Sequence, residues 1–245
     1  MTAIYDPIAA DFQKTWEHPY RTHAEMYSFF ARVGDLRGRS VLDLACGEGT
    51  YSRALKRHGA ARVVGVDISP GMIELARAAE AREPLGIEYQ VQDVGRLALA
   101  ETFDLVTAVF LLNHARTADE LQAMCRAIAA ALKPGGRFLG INNNLDQPPE
   151  SYAAMRKYGY TKRVTGPLRE GTPITLIMFV GERTIQFDDC YLSRPTYEAA
   201  FRAAGLKNLR WHLPTVSPAG EAELGREYWQ DFLNNPPLVL LECDK

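Results

Sequence analysis

The chain has 245 residues, 47% of them hydrophobic, with 28 Lys and Arg against 30 Asp and Glu for a formal charge of −2, and a pI near 6.2. That length suits one domain with a sizeable core, and the slight acidic balance argues against nucleic acid, whose unspecific binding draws on surplus Lys and Arg. Cys46, Cys125, Cys190 and Cys243 form no C-x-x-C pair and the five histidines show no H-E-x-x-H spacing, so neither a disulfide framework nor a metal site is expected.

The opening "MTAIYDPIAADF" carries Asp6 and Asp11 where a signal peptide has a basic start. No later run nears the ~18 apolar residues of a membrane span. A soluble, cytoplasmic protein without membrane contact, monomer or homodimer, is expected. Residues 1–35 predict two amphipathic helices, "ADFQKTW" and "HAEMYSFFARV", broken at Pro19 and free to form a lid.

Between residues 38 and 142 the runs "SVLDLA", "RVVGVDI", "IEYQVQ", "FDLVTAVF" and "GRFLGIN" alternate with the helical stretches "YSRALKRH", "GMIELARAAEA" and "ADELQAMCRAIAAAL". Such alternation predicts an α/β, Rossmann-like parallel sheet with helices on both faces. From 145 to 192 the rhythm changes. "PPESYAAMRKYGY" reads as helix or loop, and "TPITLIMFV" and "RTIQFDDCYL" flank Gly181 and Glu182 as a small β-hairpin cap. Residues 193–245 return to a helix, "PTYEAAFRAAG", and two strands, "NLRWHL" and "PLVLLECD", which would complete a seven-stranded sheet. The whole is expected to be a single domain.

The first strand runs into Cys-Gly-Glu-Gly. In a doubly wound sheet that strand-to-helix turn borders the ligand crevice, and Gly47 and Gly49 let the backbone turn sharply and a ligand approach its amides. The spacing G-x-G-x-x-S, with Ser52 in third place, departs from the dinucleotide pattern. Strand two ends in Asp67, about 20 residues on, where a carboxylate can accept the hydroxyls of a ribose. Strand three ends in Asp93 and Val94, an acid and an amide suited to an adenine edge. Asp43, inside the first strand, would repel a pyrophosphate and attract an ammonium.

Together "LDLACGEG", "GVDIS", "VQDV" and "LKPGGRF" resemble the class I S-adenosylmethionine-dependent methyltransferases over residues 38–142. The resemblance implies Asp43, Ala45, Gly47 and Gly49 against the methionine part of S-adenosylmethionine and Asp67 on its ribose. It further implies Ile68 and Met72 on the adenine faces, Asp93 and Val94 at the adenine amino group, and Phe110 at the end of strand four. Arg21 in "YRTHAEMY" would meet the cofactor carboxylate. S-adenosylhomocysteine would be the product.

Methyl transfer from a sulfonium is an in-line displacement that needs alignment and exclusion of water rather than a protein nucleophile. A base is needed only if the accepting atom carries a proton, and His114, His23, Tyr5 and Asp188 are all conceivable; the sequence singles out no catalytic residue. Substrate walls are expected from Tyr5, Trp16, Asn113, Tyr160 and Tyr191, since aromatic side chains enclose a flat ring and an amide both donates and accepts. "IYDPIAADF", "KYGYTKRVTGPLREGTPIT", "YLSRPTYEAAFRAAG" and "EYWQDFLNNPP" are similar to bacterial proteins of the toxoflavin synthase type, azapteridine N-methyltransferases, along almost the whole chain. That likeness implies a small heteroaromatic substrate, a pyrimidotriazinedione methylated on nitrogen. The alternatives are another small acceptor, such as a sugar amine or a hydroxyl, and a non-catalytic regulator that binds S-adenosylmethionine.

Overall fold

The computed structural model describes residues 9–97 and 99–245. Tyr5 therefore lies outside the described residues.

The N-terminal segment comprises α1 (Ala9–Gln13), a 3-10 turn (Lys14–Glu17) and a π-helical turn (Arg21–Met26) that runs into α2 (Tyr27–Val33). The α/β core then follows in order: β1 (Ser40–Leu44), α3 (Thr50–Arg57), β2 (Arg62–Asp67), α4 (Pro70–Arg82), β3 (Glu88–Val91), β4 (Phe103–Val109), α5 (Ala118–Ala131) and β5 (Leu132–Asn143). Helix starts follow from local chemistry. Ser69 accepts from the Met72 amide with Pro70 in the first turn, and Thr117 accepts from the Glu120 amide.

The expected hairpin cap is larger than a hairpin. After a 3-10 segment (Pro149–Tyr158) come β6 (Tyr160–Val164), β7 (Thr172–Val180) and β8 (Arg183–Tyr191), an antiparallel three-stranded sheet in that order. Val180 pairs with Arg183, so Gly181 and Glu182 form the two-residue turn expected from the sequence. The added strand is "YTKRV", whose two basic residues hide its pattern; Lys162 is nonetheless buried, donating to Gln147 Oε1 and to the Pro237 carbonyl, each at 3.0 Å.

The chain closes with α6 (Arg194–Ala203), β9 (Lys207–His212), α7 (Pro218–Leu224), α8 (Arg226–Asn234) and β10 (Leu238–Asp244). The main sheet has seven strands in the order β3-β2-β1-β4-β5-β10-β9. The first five are mutually parallel, and β10 lies antiparallel between β5 and β9. Alternate strand residues feed two cores: Val41, Val63 and Leu105 pack on one face with Phe29, Leu55 and Trp229, while Leu42, Val64 and Val106 pack on the other with Ile128, Phe138 and Phe201. Covering both faces explains the nearly unbroken apolar runs of the inner strands.

Candidate functional site

The strand order reverses between β1 and β4, which leaves a crevice at their carboxyl ends. The turn after β1 forms its floor. Gly47 has φ +55° and a Cβ there would meet nothing within 4 Å, so its backbone faces open space. Gly49 has φ +85°, and a Cβ would stand 2.4 Å from the Tyr89 hydroxyl oxygen. One glycine exposes the turn; the other lets it pack. The non-glycine residues Ala45 (φ +55°) and Phe110 (φ +58°) also take the left-handed conformation, and both line the crevice, where backbone strain tends to gather.

Asp67 closes β2 and ties this floor down: Oδ2 accepts from the Gly47 amide and Oδ1 from the Ser69 amide, each at 2.9 Å. Burial raises its pKa, partly offset by these two amides. The N-terminal segment forms a wall. Trp16 Nε1 donates to Glu48 Oε1 at 2.5 Å, linking that segment to the glycine turn. Arg21 is buried, bonded to Glu25 Oε1 at 2.9 Å and Oε2 at 3.1 Å, and boxed by the rings of Phe12, Trp16, Tyr20 and Phe110. Burial works against its charge, but the adjoining Glu25 carboxylate, together with Tyr20 and Tyr51, holds its pKa above the ordinary value.

The roof is the three-stranded sheet, which brings Tyr160, Leu176, Met178, Phe187, Asp188 and Asp189 over the crevice. Together these walls enclose a cavity of about 480 Å³. The 3-10 turn Leu112–His114 after β4 projects Asn113 and His114 into it. His114 Nδ1 lies 3.0 Å from Asp189 Oδ1, and the other oxygen of Asp189 accepts from Asn143 Nδ2 at 2.7 Å.

A family model described as a methyltransferase domain matches residues 41–136. Among curated proteins, a ubiquinone biosynthesis O-methyltransferase of Coxiella burnetii is 42% identical over 112 residues, 44% of this chain and 46% of that protein. The chain spans about half the length of the curated relatives it matches. Among solved structures, an S-adenosylmethionine dependent methyltransferase from Mesorhizobium loti has a TM-score of 0.64 at 22% identity, over 90% of this chain and 97% of that one. A methyltransferase in complex with the Haloferax volcanii Trm112 methyltransferase activator has a TM-score of 0.69 at 22% identity, over 100% and 98%. At that identity the two structures speak for the fold. Residues 41–136 thus match a methyltransferase domain, within a fold shared with S-adenosylmethionine-dependent methyltransferases.

Within this core the cavity gathers Ala45, Gly47, Asp67, Ile68, Met72 and Val94 at the glycine-turn end. Arg21, Trp16, Phe110, Asn113 and Tyr160 also line it. Other expected residues stand elsewhere. Asp43 lies beneath the floor, accepting from the Ser52 hydroxyl at 2.6 Å and the Thr107 hydroxyl at 2.9 Å; burial pushes its pKa up to about 6. The structure gives it a role in holding the turn rather than facing a ligand. Gly49 is likewise under the surface, at the start of α3. Asp93 accepts from the Gly95 amide at 2.8 Å and caps the next 3-10 turn, leaving Val94 as the residue on the wall. Tyr191, at the far end of β8 opposite Thr172, is outside the lining.

Of the conceivable bases, His23 stands aside from the cavity: its Nδ1 bonds to Ser217 Oγ at 2.9 Å and its Nε2 lies 3.2 Å from Glu223. Asp188 lines the cavity and accepts from the Thr175 hydroxyl at 2.7 Å. Sequence reasoning missed Glu25, Glu48, Asn143 and Asp189. Glu48 was signalled by its place between the two glycines; Asp189 carried no signal, because only the folding of β8 over the β4 turn sets it beside His114. Among the described residues no cluster of His, Cys, Asp and Glu side chains could hold a metal ion, and no helix is long and apolar enough to cross a membrane.

Proposed function

We propose that the chain transfers a methyl group from S-adenosylmethionine to a ring nitrogen of a small planar heterocycle, of the pyrimidotriazinedione kind that the toxoflavin synthase resemblance implies. The observation that carries this reading is the continuous cavity running from the glycine turn to the aromatic pocket under the three-stranded sheet. The residues fit the cofactor: Gly47 leaves its cradle open, and the buried Nε of Arg21 has no hydrogen-bond partner in the protein. The cofactor supplies an electrophilic methyl group on a sulfonium.

In this reading Asp67 receives the ribose hydroxyls, Ile68 and Met72 flank the adenine, and Val94 meets its edge. Arg21 faces the carboxylate, its charge shared with Glu25. Tyr160, Phe187 and Phe110 hold the acceptor flat, and Asn113 fixes it within the ring plane. The lid and the three-stranded roof exclude water, so most of the rate comes from alignment in a dry site.

A second reading, O-methylation of a small hydroxylated ring, is favoured by the likeness to the ubiquinone biosynthesis O-methyltransferase of Coxiella burnetii. Labelled methyl transfer to a panel of demethylated pyrimidotriazinediones, pteridines, catechols and amino sugars tests both. Preference for the heterocycles supports nitrogen methylation, preference for catechols the second reading, and preference for amino sugars defeats both. Binding of S-adenosylmethionine without turnover of any acceptor would favour a regulator.

A further inference from the structure

The turn after β4 presents two adjacent hydrogen-bonding side chains to the cavity, and the second has a carboxylate behind it. Asn113 is 3% exposed, and its Oδ1 is buried without a hydrogen-bond partner in the protein. His114 stands with Nδ1 3.0 Å from Asp189 Oδ1, an oxygen that has no other partner. The ring is near that oxygen rather than aligned on it, as catalytic pairs often are before substrate tightens them. Asp189 is itself 2% exposed and held by Asn143 Nδ2 from β5. A carboxylate at Nδ1 favours the tautomer with its proton on that nitrogen and makes Nε2 the basic one.

We infer that His114 is the general base for the methyl acceptor, with Asp189 as its positioning residue and Asn113 Oδ1 receiving a second N–H of the same molecule. This rests on the proposed methyl transfer and narrows its substrate to acceptors that carry a proton on the methylated atom. The acceptor's N–H bond breaks and its proton passes to His114 Nε2. The nitrogen's electron pair forms the bond to the methyl carbon as the carbon–sulfur bond breaks, sulfur keeping that bond's electrons. The imidazolium is paired with Asp189 and later releases its proton to water. Asp188 is a weaker candidate because its Oδ1 already accepts from Thr175.

The test combines a spectroscopic readout with kinetics. Nitrogen NMR of the S-adenosylhomocysteine complex, with histidine signals assigned through His114→Gln, should show the Nδ1–H tautomer of His114 in the wild type and a loss of that preference in Asp189→Asn. Besides Asp189, the charged groups that line the cavity with His114 are Arg21, Glu48, Asp67, Arg116, Glu120 and Asp188, and Asp188→Asn serves as the control that should leave the tautomer unchanged. With a demethylated pyrimidotriazinedione as acceptor, His114→Gln should lower kcat by about 10²–10⁴-fold while KM stays within a few-fold, and added imidazole should restore part of the rate to His114→Gly. Asp189→Asn should lower kcat less. A wild-type Nε2–H tautomer, or an Asp189→Asn spectrum identical to wild type, overturns the inference even if no acceptor is ever found. So does full turnover by His114→Gln in a protein that methylates the acceptor. Failure of the wild type to methylate anything would instead strike the proposed function.

Discussion

The Gly47 amide donates to Asp67 Oδ2 across 2.9 Å, tying the turn after β1 to the tip of β2. The Ser69 amide occupies the other oxygen. A carboxylate that accepts two amides still has lone pairs for ligand hydroxyls, so Asp67 shapes the floor and, in the proposed function, also receives the ribose. Asp67→Ala should weaken S-adenosylmethionine binding by about 1.5–3 kcal/mol, the scale of hydrogen bonds to a charged group. Equal affinities of mutant and wild type by calorimetry would remove Asp67 from the ligand contact.

Arg21 is paired with Glu25 within the protein, and in the proposed function it also meets the carboxylate of the cofactor. Arg21→Ala leaves Glu25 buried without its counterion and should cost about 3–5 kcal/mol of stability, measurable by denaturant unfolding. Under conditions where the variant stays folded, its affinity for S-adenosylmethionine should fall more than its affinity for methylthioadenosine, which lacks the carboxylate. Equal losses would make the Glu25 pair its whole role.

The two turn glycines should separate by substitution. Gly49→Ala forces a left-handed Cβ against the Tyr89 hydroxyl, so it should unfold at clearly lower temperature. Gly47→Ala meets open space and carries only the conformational cost of roughly 1–2 kcal/mol, while its new methyl group intrudes on the ligand. The thermal midpoint should therefore drop more for Gly49→Ala, and the drop in cofactor affinity relative to stability should be greater for Gly47→Ala.

Asp43 offers a pH test. Its folded pKa of about 6 lies above the usual carboxylate value, with burial the main cause. Between about pH 4 and 6 the native state then binds more protons than the unfolded chain, so this group makes stability fall as pH rises through that window. Asp43→Asn keeps a polar partner for Ser52 and Thr107 without a charge. It should flatten the pH dependence across that window and add about 1–3 kcal/mol at neutral pH. A variant with an unchanged pH profile would place the titration elsewhere.

The Trp16 bond to Glu48 joins the N-terminal segment to the glycine turn. Trp16→Phe keeps an aromatic ring over Arg21 and removes the indole N–H, leaving the buried Glu48 carboxylate with the Thr50 hydroxyl as its remaining donor. Its cofactor affinity should fall by about 1–3 kcal/mol, and protease cleavage within residues 14–21 should speed up. Unchanged affinity and cleavage would mean that the bond does not hold the lid.

What the sequence determined by itself was local in origin. The alternation of apolar strands and amphipathic helices needs only neighbouring residues to be visible, and so do the glycine turn, Asp67 at the end of β2 and the two-residue turn at Gly181. Ile68, Met72 and Val94 then follow on the cavity wall because they lie within a few residues of strand ends. The third strand of the roof was hidden, since its basic residues Lys162 and Arg163 mask the alternation until the buried carbonyl of Pro237 and the amide of Gln147 satisfy the Lys162 ammonium. Tertiary structure alone decided that Asp43 faces Ser52 and Thr107 instead of the cavity, that Arg21 comes paired with Glu25, and that Tyr191 stays outside the lining. It alone brought Asp189 of the roof to His114 of the main sheet's crevice, two residues far apart in the chain. The physical reason is that side-chain direction and long-range pairing depend on how the sheets dock, and residues from separate elements carry no mark of one another until the core between them is packed.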